Sequence, residues 1–273
     1  MKKFKILLTT LICMMLFSQS SYAGSERLIL TGSSTVAPLA LEIGKRFEQL
    51  HAGVRVDVQT GGSTRGVLDA RSGTADIGMA SRALKGTEQD LTSHLIGMDG
   101  ISIILHRNNP VKMLSNAQII AIFTGKIRNW QQVGGENRSI TVVNKAEGHS
   151  TLELFLHHFS LKNSQIKADV IIGDNQQGIK TVAGNPNAIG YVSIGTAEYE
   201  EAQGTAIKRL PMAGIAPTTE QVRLGKFPLS RPLNLITKGK PSSLAQSFID
   251  FARSPAVRDL VEAQFFVAVA SQH

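Results

Sequence analysis

Apolar and polar positions change period repeatedly along this chain. Leu28-Ile29-Leu30 is a short apolar run that stops at Thr31-Gly32, and the residues after it read as a helix. Val54 to Val58 (VRVDV) alternates at period two, the pattern of a strand with one buried face. Further strands are predicted at 75–79, 100–105, 140–143, 189–194 and 233–237, from short β-branched or apolar runs bounded by turn residues. Helices are predicted at 66–71, 115–123 with Ser115 as cap, 150–159, 242–252 and 256–263. Asn108-Asn109-Pro110 is a strong breaker. Strands alternating with helices predict an α/β fold with largely parallel sheets.

Four polar turns, three of them containing glycine, stand where strands give way to helices. They are Thr31 to Thr35 (with Ser33 and Ser34), Thr60 to Gly66 (with Ser63 and Thr64), Ala80-Ser81-Arg82, and Lys145 to Thr151 (with Gly148, His149 and Ser150). In α/β sheets, ligands bind at the carboxyl ends of strands. A helix N-terminus also leaves four amides unpaired beside a positive dipole end, which suits an anion. A hydroxyl that merely caps its helix is the plainer reading of any single turn. Four turns of one chemistry, with Arg82 and Lys145 as cations, point to one oxyanion held by several of them.

The ends and the composition narrow this picture. Residues 1–23 read as a cleaved secretory signal: Lys2, Lys3 and Lys5, an apolar stretch from Ile6 to Phe17, then Ser21-Tyr22-Ala23 at the cleavage site. The one cysteine, Cys13, lies inside that apolar stretch, so neither a disulfide nor a lipid anchor is expected of the mature chain. The formal charge of +8 falls to +5 when the signal lysines are removed, and the remaining charges are dispersed. Such an excess aids solubility and tolerates an anionic ligand. With 5% aromatic residues and no basic cluster, no nucleic-acid partner is expected.

Other chemistries find little support. No phosphate-loop or dinucleotide fingerprint follows a strand. Of seven histidines, only His157 and His158 adjoin, and neighbours on a helix diverge, so neither a metal nor a cofactor is expected. Both are read as surface or boundary residues of a helix that buries Phe155 and Phe159. Glu147, His149 and Ser150 allow a hydrolase to be considered. No nucleophile elbow exists, however, and sequence neighbours rarely face each other across a site. Glu147 is read as a solvated turn residue.

The segments TGSSTVAPLA, GGSTRGVLDARSGTADIGMASRALK, IFTGKIRNWQQVGG, the GHST turn, NPNAIGYVSIG and FPLSRPLNLIT follow one another across most of the mature chain. In them the chain resembles the phosphate-binding proteins of ABC-type phosphate uptake systems, a family of type 2 periplasmic solute-binding proteins. The resemblance implies a two-lobed α/β fold with the ligand cleft between lobes joined by two crossover strands. Lobe I would be 24–105 plus 234–273 and lobe II 106–233, with crossovers near Ile101 to Arg107 and Phe227 to Leu233. It implies a non-enzymatic, monomeric periplasmic receptor that passes inorganic phosphate to the permease subunits of an ABC transporter. The phosphate-binding residues would be Ser33, Ser34, Thr35, Ser63, Thr64, Ser81, Arg82, Lys145, Gly148, His149, Ser150 and Thr151.

The pattern departs from the family in two places. Lys145 and His149 stand where many members have arginine and serine, and Arg82 stands where some hold a carboxylate against the phosphate proton. Sulfate or molybdate is therefore an alternative ligand. A secreted phosphatase using Ser150 or Thr151 with His149 is the alternative in another class, and a sensory or adhesion protein is a third reading. Trp130 is read as packing, Pro228 and Pro232 as setting hinge geometry, and Asp99-Gly100 as a turn.

Overall fold

The computed structural model describes residues 26–269. The expected signal segment and Cys13 lie outside the described residues. ERLILTG forms strand β1 (Glu26–Gly32) and VRVDVQT forms β2 (Val54–Thr60), paired parallel from Glu26↔Val54 to Gly32↔Thr60. Helix α1 (Ala37–Leu50) connects them and buries Leu39, Ala40, Ile43 and Phe47, the helical spacing of one apolar face. Pro38 sits in its first turn, where no amide donor is needed. Helix α2 (Ser63–Ser72) then leads to β3 (Ile77–Ala80), which pairs parallel with β1.

The next strand joins the two halves of the molecule. β4 (Leu91–His106) pairs antiparallel with β9 (Ser230–Lys238) over Leu91 to Gly100. From Ile101 to Leu105 it pairs antiparallel with β7 (Ala188–Ser193) instead. Asp99-Gly100, expected to be a turn, is continuous strand. The expectation of largely parallel sheets fails here, because β4 carries the chain outward and β9 returns it. The parallel pairs are confined to β1 with β2 and β3, and to β5 (Thr141–Lys145) with β6 (Val170–Ile172) and β7.

The second half repeats the alternation. Helix α3 (Asn116–Phe123) is capped by Ser115, whose hydroxyl accepts from the Gln118 amide. After β5 and α4 (Ser150–His158) come β6, α5 (Asn175–Ala183), β7 and α6 (Ile194–Ala202). β8 (Ile207–Arg209), α7 (Thr219–Arg223), β9, α8 (Ser243–Ala252) and α9 (Arg258–Ala263) complete the chain. Ile194, expected in a strand, opens α6 because the Ser193 hydroxyl accepts from the Thr196 amide and caps it. The strand order is β2-β1-β3-β9-β4-β7-β5-β6, with β8 on β4.

Two large cores result, with smaller buried clusters around Ile179 and Val182 and around Val67 and Ile236. One packs Ile43 and Phe47 of α1 against Phe248 and Ile249 of α8 and Leu233 and Leu235 of β9. The other packs Phe123, Trp130, Phe155 and Tyr191 with Ile101, Ile103 and Leu105 of β4. Each such fully buried side chain contributes about 1.5–3 kcal/mol relative to leaving it exposed. Trp130 is 1% exposed and its indole N–H donates to the Asn187 carbonyl, which is the packing role its sequence suggests. His157 is exposed and His158 half-buried.

Candidate functional site

The four turns meet where the two bodies face each other. In the first, Gly32 has φ +130°, and a Cβ there would lie 2.4 Å from the Met79 carbonyl oxygen. The Ser33 amide donates to that same carbonyl at 2.9 Å, which sets the turn against β3. The Ser33 hydroxyl accepts from the Thr35 and Val36 amides at 3.2 and 3.3 Å, which closes the turn ahead of α1; the helix N-cap itself is Val36 and has no side-chain cap. Ser33 then donates to Ser81 Oγ at 3.0 Å. Ser34 is half-buried at the cleft mouth, beside Asn175 and Thr196.

The second turn braces the third and touches the opposite body. Ser63 Oγ accepts from the Ser81 amide at 3.2 Å. The Thr64 amide donates to the Gly148 carbonyl at 3.0 Å, and Thr64 Oγ1 donates to Glu153 of α4. This approach requires Gly62: its φ is +89°, and a Cβ would sit 2.5 Å from the Gly148 oxygen.

The centre of the site is a residue that sequence reasoning missed. The guanidinium of Arg231, on β9, is fully buried. It donates to Thr151 Oγ1 at 2.8 Å, Thr35 Oγ1 at 3.2 Å and Ser81 Oγ at 3.3 Å, hydroxyls from three turns and both bodies. Its Nε and Nη2 donate to Asp99 Oδ2 at 3.0 and 2.8 Å. Asp99 lies directly opposite Arg231 in the ladder, at the last pairs before the chain crosses. Ser81 Oγ also lies 2.6 Å from Ser150 Oγ, which joins the third turn to the fourth.

Asn175, at the start of α5, was missed as well. Its Nδ2 donates to Thr35 Oγ1 at 3.1 Å and its Oδ1 accepts from Lys145 Nζ at 3.2 Å. Lys145 is 2% exposed, and its pKa is lowered to about 7, first by burial and then by the like charge of Arg231, with Asp174 opposing. His149 is half-buried at the α4 N-cap, and burial followed by Lys145 lowers its pKa too. Ser150 and Thr151 open α4, at the positive end of its dipole.

Arg82 does not join this cluster, which corrects the expectation for its side chain. Its guanidinium forks onto Glu88 at 2.7 and 2.8 Å, and its Nε lies 3.1 Å from Glu153. Burial opposes ionisation of Glu88, but the bonds from Arg82 and the Lys85 amide hold its carboxyl below the usual range. Arg82 is thus matched by carboxylates, and Arg231 is the cation the hydroxyls face. Glu153 also pairs with Lys85 at 2.9 Å, so one carboxylate of α4 ties to Thr64, Arg82 and Lys85 of the other body. Glu147 is exposed and bonded by Asn163, the solvated role expected of it.

Chemically, the cluster offers hydroxyls that can turn either donor or acceptor, one fixed cation with its counter-charge, and one titratable cation. Such a set can surround a tetrahedral oxyanion from two sides.

The chain is similar to known proteins over most of its length. A family model described as a PBP superfamily domain matches residues 18–256. A solved structure from Clostridium perfringens, assigned as a phosphate ABC transporter substrate-binding protein with bound phosphate, superposes with TM-score 0.83 at 32% identity. That match covers 90% of this chain and 100% of the other. An ABC-type phosphate transport receptor from Vibrio cholerae matches with TM-score 0.72 at 26% identity, over 89% of this chain and 100% of the other. The phosphate-binding protein PstS of Bacillus subtilis is 28% identical over 251 residues, 90% of this chain and 81% of its own length.

Proposed function

Because this chain belongs to the PBP superfamily, we propose that it is a receptor that captures inorganic phosphate between its lobes and hands it to an ABC permease. The observation that carries the proposal is the convergence of Thr35, Ser81 and Thr151 on the buried Arg231. The relatives named above support phosphate as the oxyanion. In this reading Ser33, Thr35, Ser81, Ser150 and Thr151 surround the ion with Arg231, Asn175 and Lys145, while Gly148, His149 and Ser34 line its rim. Ser63 and Thr64 act one step away, by bracing the third turn and the opposite lobe.

The lobes divide in this reading at Gly100–Ile101 on the way out and Leu229–Arg231 on the way back, where the pairing partners change. Closure would be a hinge motion about these two adjacent strands, favoured by contacts that both lobes make to one ion. The protein would be a non-enzymatic, monomeric receptor, exported by the amino-terminal segment to the periplasm. Among the described residues no helix is long and apolar enough to cross a membrane. A phosphatase is disfavoured because neither candidate nucleophile is hydrogen-bonded to His149, the base it would need: Ser150 Oγ pairs with Ser81 and Thr151 Oγ1 with Arg231. Calorimetric titration with phosphate and with sulfate tests the proposal. Saturable micromolar or tighter phosphate binding with at least tenfold weaker sulfate binding is expected, and no heat with phosphate would refute it.

A further inference from the structure

The two cations of the cluster differ in kind. A guanidinium is a fixed charge, whereas an ammonium gives up its proton readily when buried. Arg231 has Asp99 opposite it, a carboxylate that takes two of its bonds. Lys145 has no such partner in contact: its amine, 2% exposed at the end of β5, has as its hydrogen-bond acceptor the neutral amide oxygen of Asn175. That oxygen is also approached by the Ser193 amide at 3.5 Å.

On balance the surroundings disfavour a second positive charge. From β9, Arg231 repels it, and from the turn before α4, His149 adds no negative charge. From β7, the Tyr191 hydroxyl is spent on Asn144, to which it donates at 2.5 Å. Ahead of α5, Asp174 supplies the opposing attraction, and its own carboxylate accepts from the Gln177 amide as the helix cap. A dianion held by Thr35, Ser81, Thr151 and Arg231 would reverse this balance, since Asn175 joins Thr35 and Lys145 within one chain of hydrogen bonds.

We propose that Lys145 couples anion binding to proton uptake: above neutral pH its amine is mainly uncharged in the cluster without an anion and takes a proton from solvent as phosphate enters. The proposal rests on the reading of the cluster as a phosphate site. The step is balanced, R–NH₂ plus H⁺ giving R–NH₃⁺, with the proton drawn from buffer. The lowered pKa of Lys145, about 7, places the effect in the neutral-to-alkaline range. Lysine at this position thus makes a switchable cation of what arginine would make permanent. Phosphate affinity falls by up to about tenfold per pH unit above neutrality, the limit for one linked proton.

Calorimetry at pH 8 in two buffers of different ionisation enthalpy, HEPES and Tris, tests this. The slope of binding enthalpy against buffer ionisation enthalpy counts protons taken up, and Lys145→Arg removes the coupled site while subtracting the ion's own protonation. The wild-type protein is expected to take up about 0.9 proton more per phosphate than Lys145→Arg, the fraction one linked group gives a unit above its pKa. Equal slopes overturn the proposal, with phosphate binding itself still standing. An absence of phosphate heat in the wild type overturns the underlying reading and the proposal together. Carbon-13 NMR of lysine-labelled wild-type protein keeps the test decisive should Lys145→Arg fail to bind. The Lys145 Cε signal is expected to titrate near neutrality without phosphate and to remain in its protonated position to pH 9 with it. A signal that is protonated to pH 9 in both conditions overturns the proposal.

Discussion

Replacing Asp99 by Asn probes the pair at the heart of the site. Both side chains are essentially inaccessible, at 0% and 1% exposure, and Arg231 makes two bonds of 2.8 and 3.0 Å to one oxygen of Asp99. The other oxygen accepts from the Gly195 amide at 3.2 Å, which ties the crossover to the start of α6. Asn keeps the volume and one acceptor but leaves a guanidinium buried without its counter-charge. Removing one partner of such a pair costs about 3–5 kcal/mol. Asn retains part of the bonding, so a loss of about 3 kcal/mol is expected, or about 6–12 °C in Tm for a chain of this size. Phosphate should restore more stability to Asp99→Asn than to the wild type, because the uncompensated guanidinium gains more from an anion. Differential scanning calorimetry with and without phosphate measures both. The exposed pair Arg258–Glu262 serves as control, and its removal should cost no more than about 0.5 kcal/mol. A loss below about 1 kcal/mol for Asp99→Asn, or equal phosphate effects in the two proteins, would refute the reasoning.

Other expectations follow from the same contacts. Arg231→Met removes a charged donor shared by three hydroxyls and should weaken phosphate at least about 100-fold, from two charge-assisted bonds of about 1.5–3 kcal/mol each, as titration calorimetry would show. Glu153→Gln loosens the tie between α4 and Arg82 and Lys85, so small-angle scattering should report a larger radius of gyration without phosphate; an unchanged radius with unchanged affinity would contradict this role. Gly62→Ala places a Cβ 2.5 Å from the Gly148 oxygen at φ +89° and should impair closure, seen as phosphate affinity lowered at least tenfold together with a lowered Tm from the backbone strain. Without phosphate, stability should rise with pH between about 7 and 10.5 relative to Lys145→Met. The sign follows because the folded pKa lies below the unfolded value, so the unfolded chain binds more protons in that window; chemical denaturation across the range measures it.

The sequence made the turns legible and left their centre hidden. Ser33, Thr35, Ser81, Ser150 and Thr151 announce themselves as hydroxyls at strand-to-helix turns, because such turns have a local signature. Arg231 has none, since its function depends on a strand that crosses between lobes. A signal was nonetheless available. Arg231, Leu233 and Leu235 share one parity along β9, and so do Asp99, Ile101, Ile103 and Leu105 along β4. A charge of each sign among apolar residues of one parity, at or beside the two expected crossover strands, is the pattern of a buried pair. Arg82 misled for the converse reason: its neighbours in sequence place it at the site, but Glu88 and Glu153 draw its head group away, and no local pattern encodes that choice. The antiparallel joint of β4 with β9 and β7 was likewise invisible to alternation alone, because pairing direction depends on which strands meet.

The most direct test of the central claim is a crystal structure of the protein with arsenate, an anomalously scattering analogue of phosphate. The account predicts one strong anomalous peak within hydrogen-bonding distance of Thr35, Ser81, Thr151 and the Arg231 guanidinium. A peak held by Arg82 instead, or none between the lobes, would contradict it.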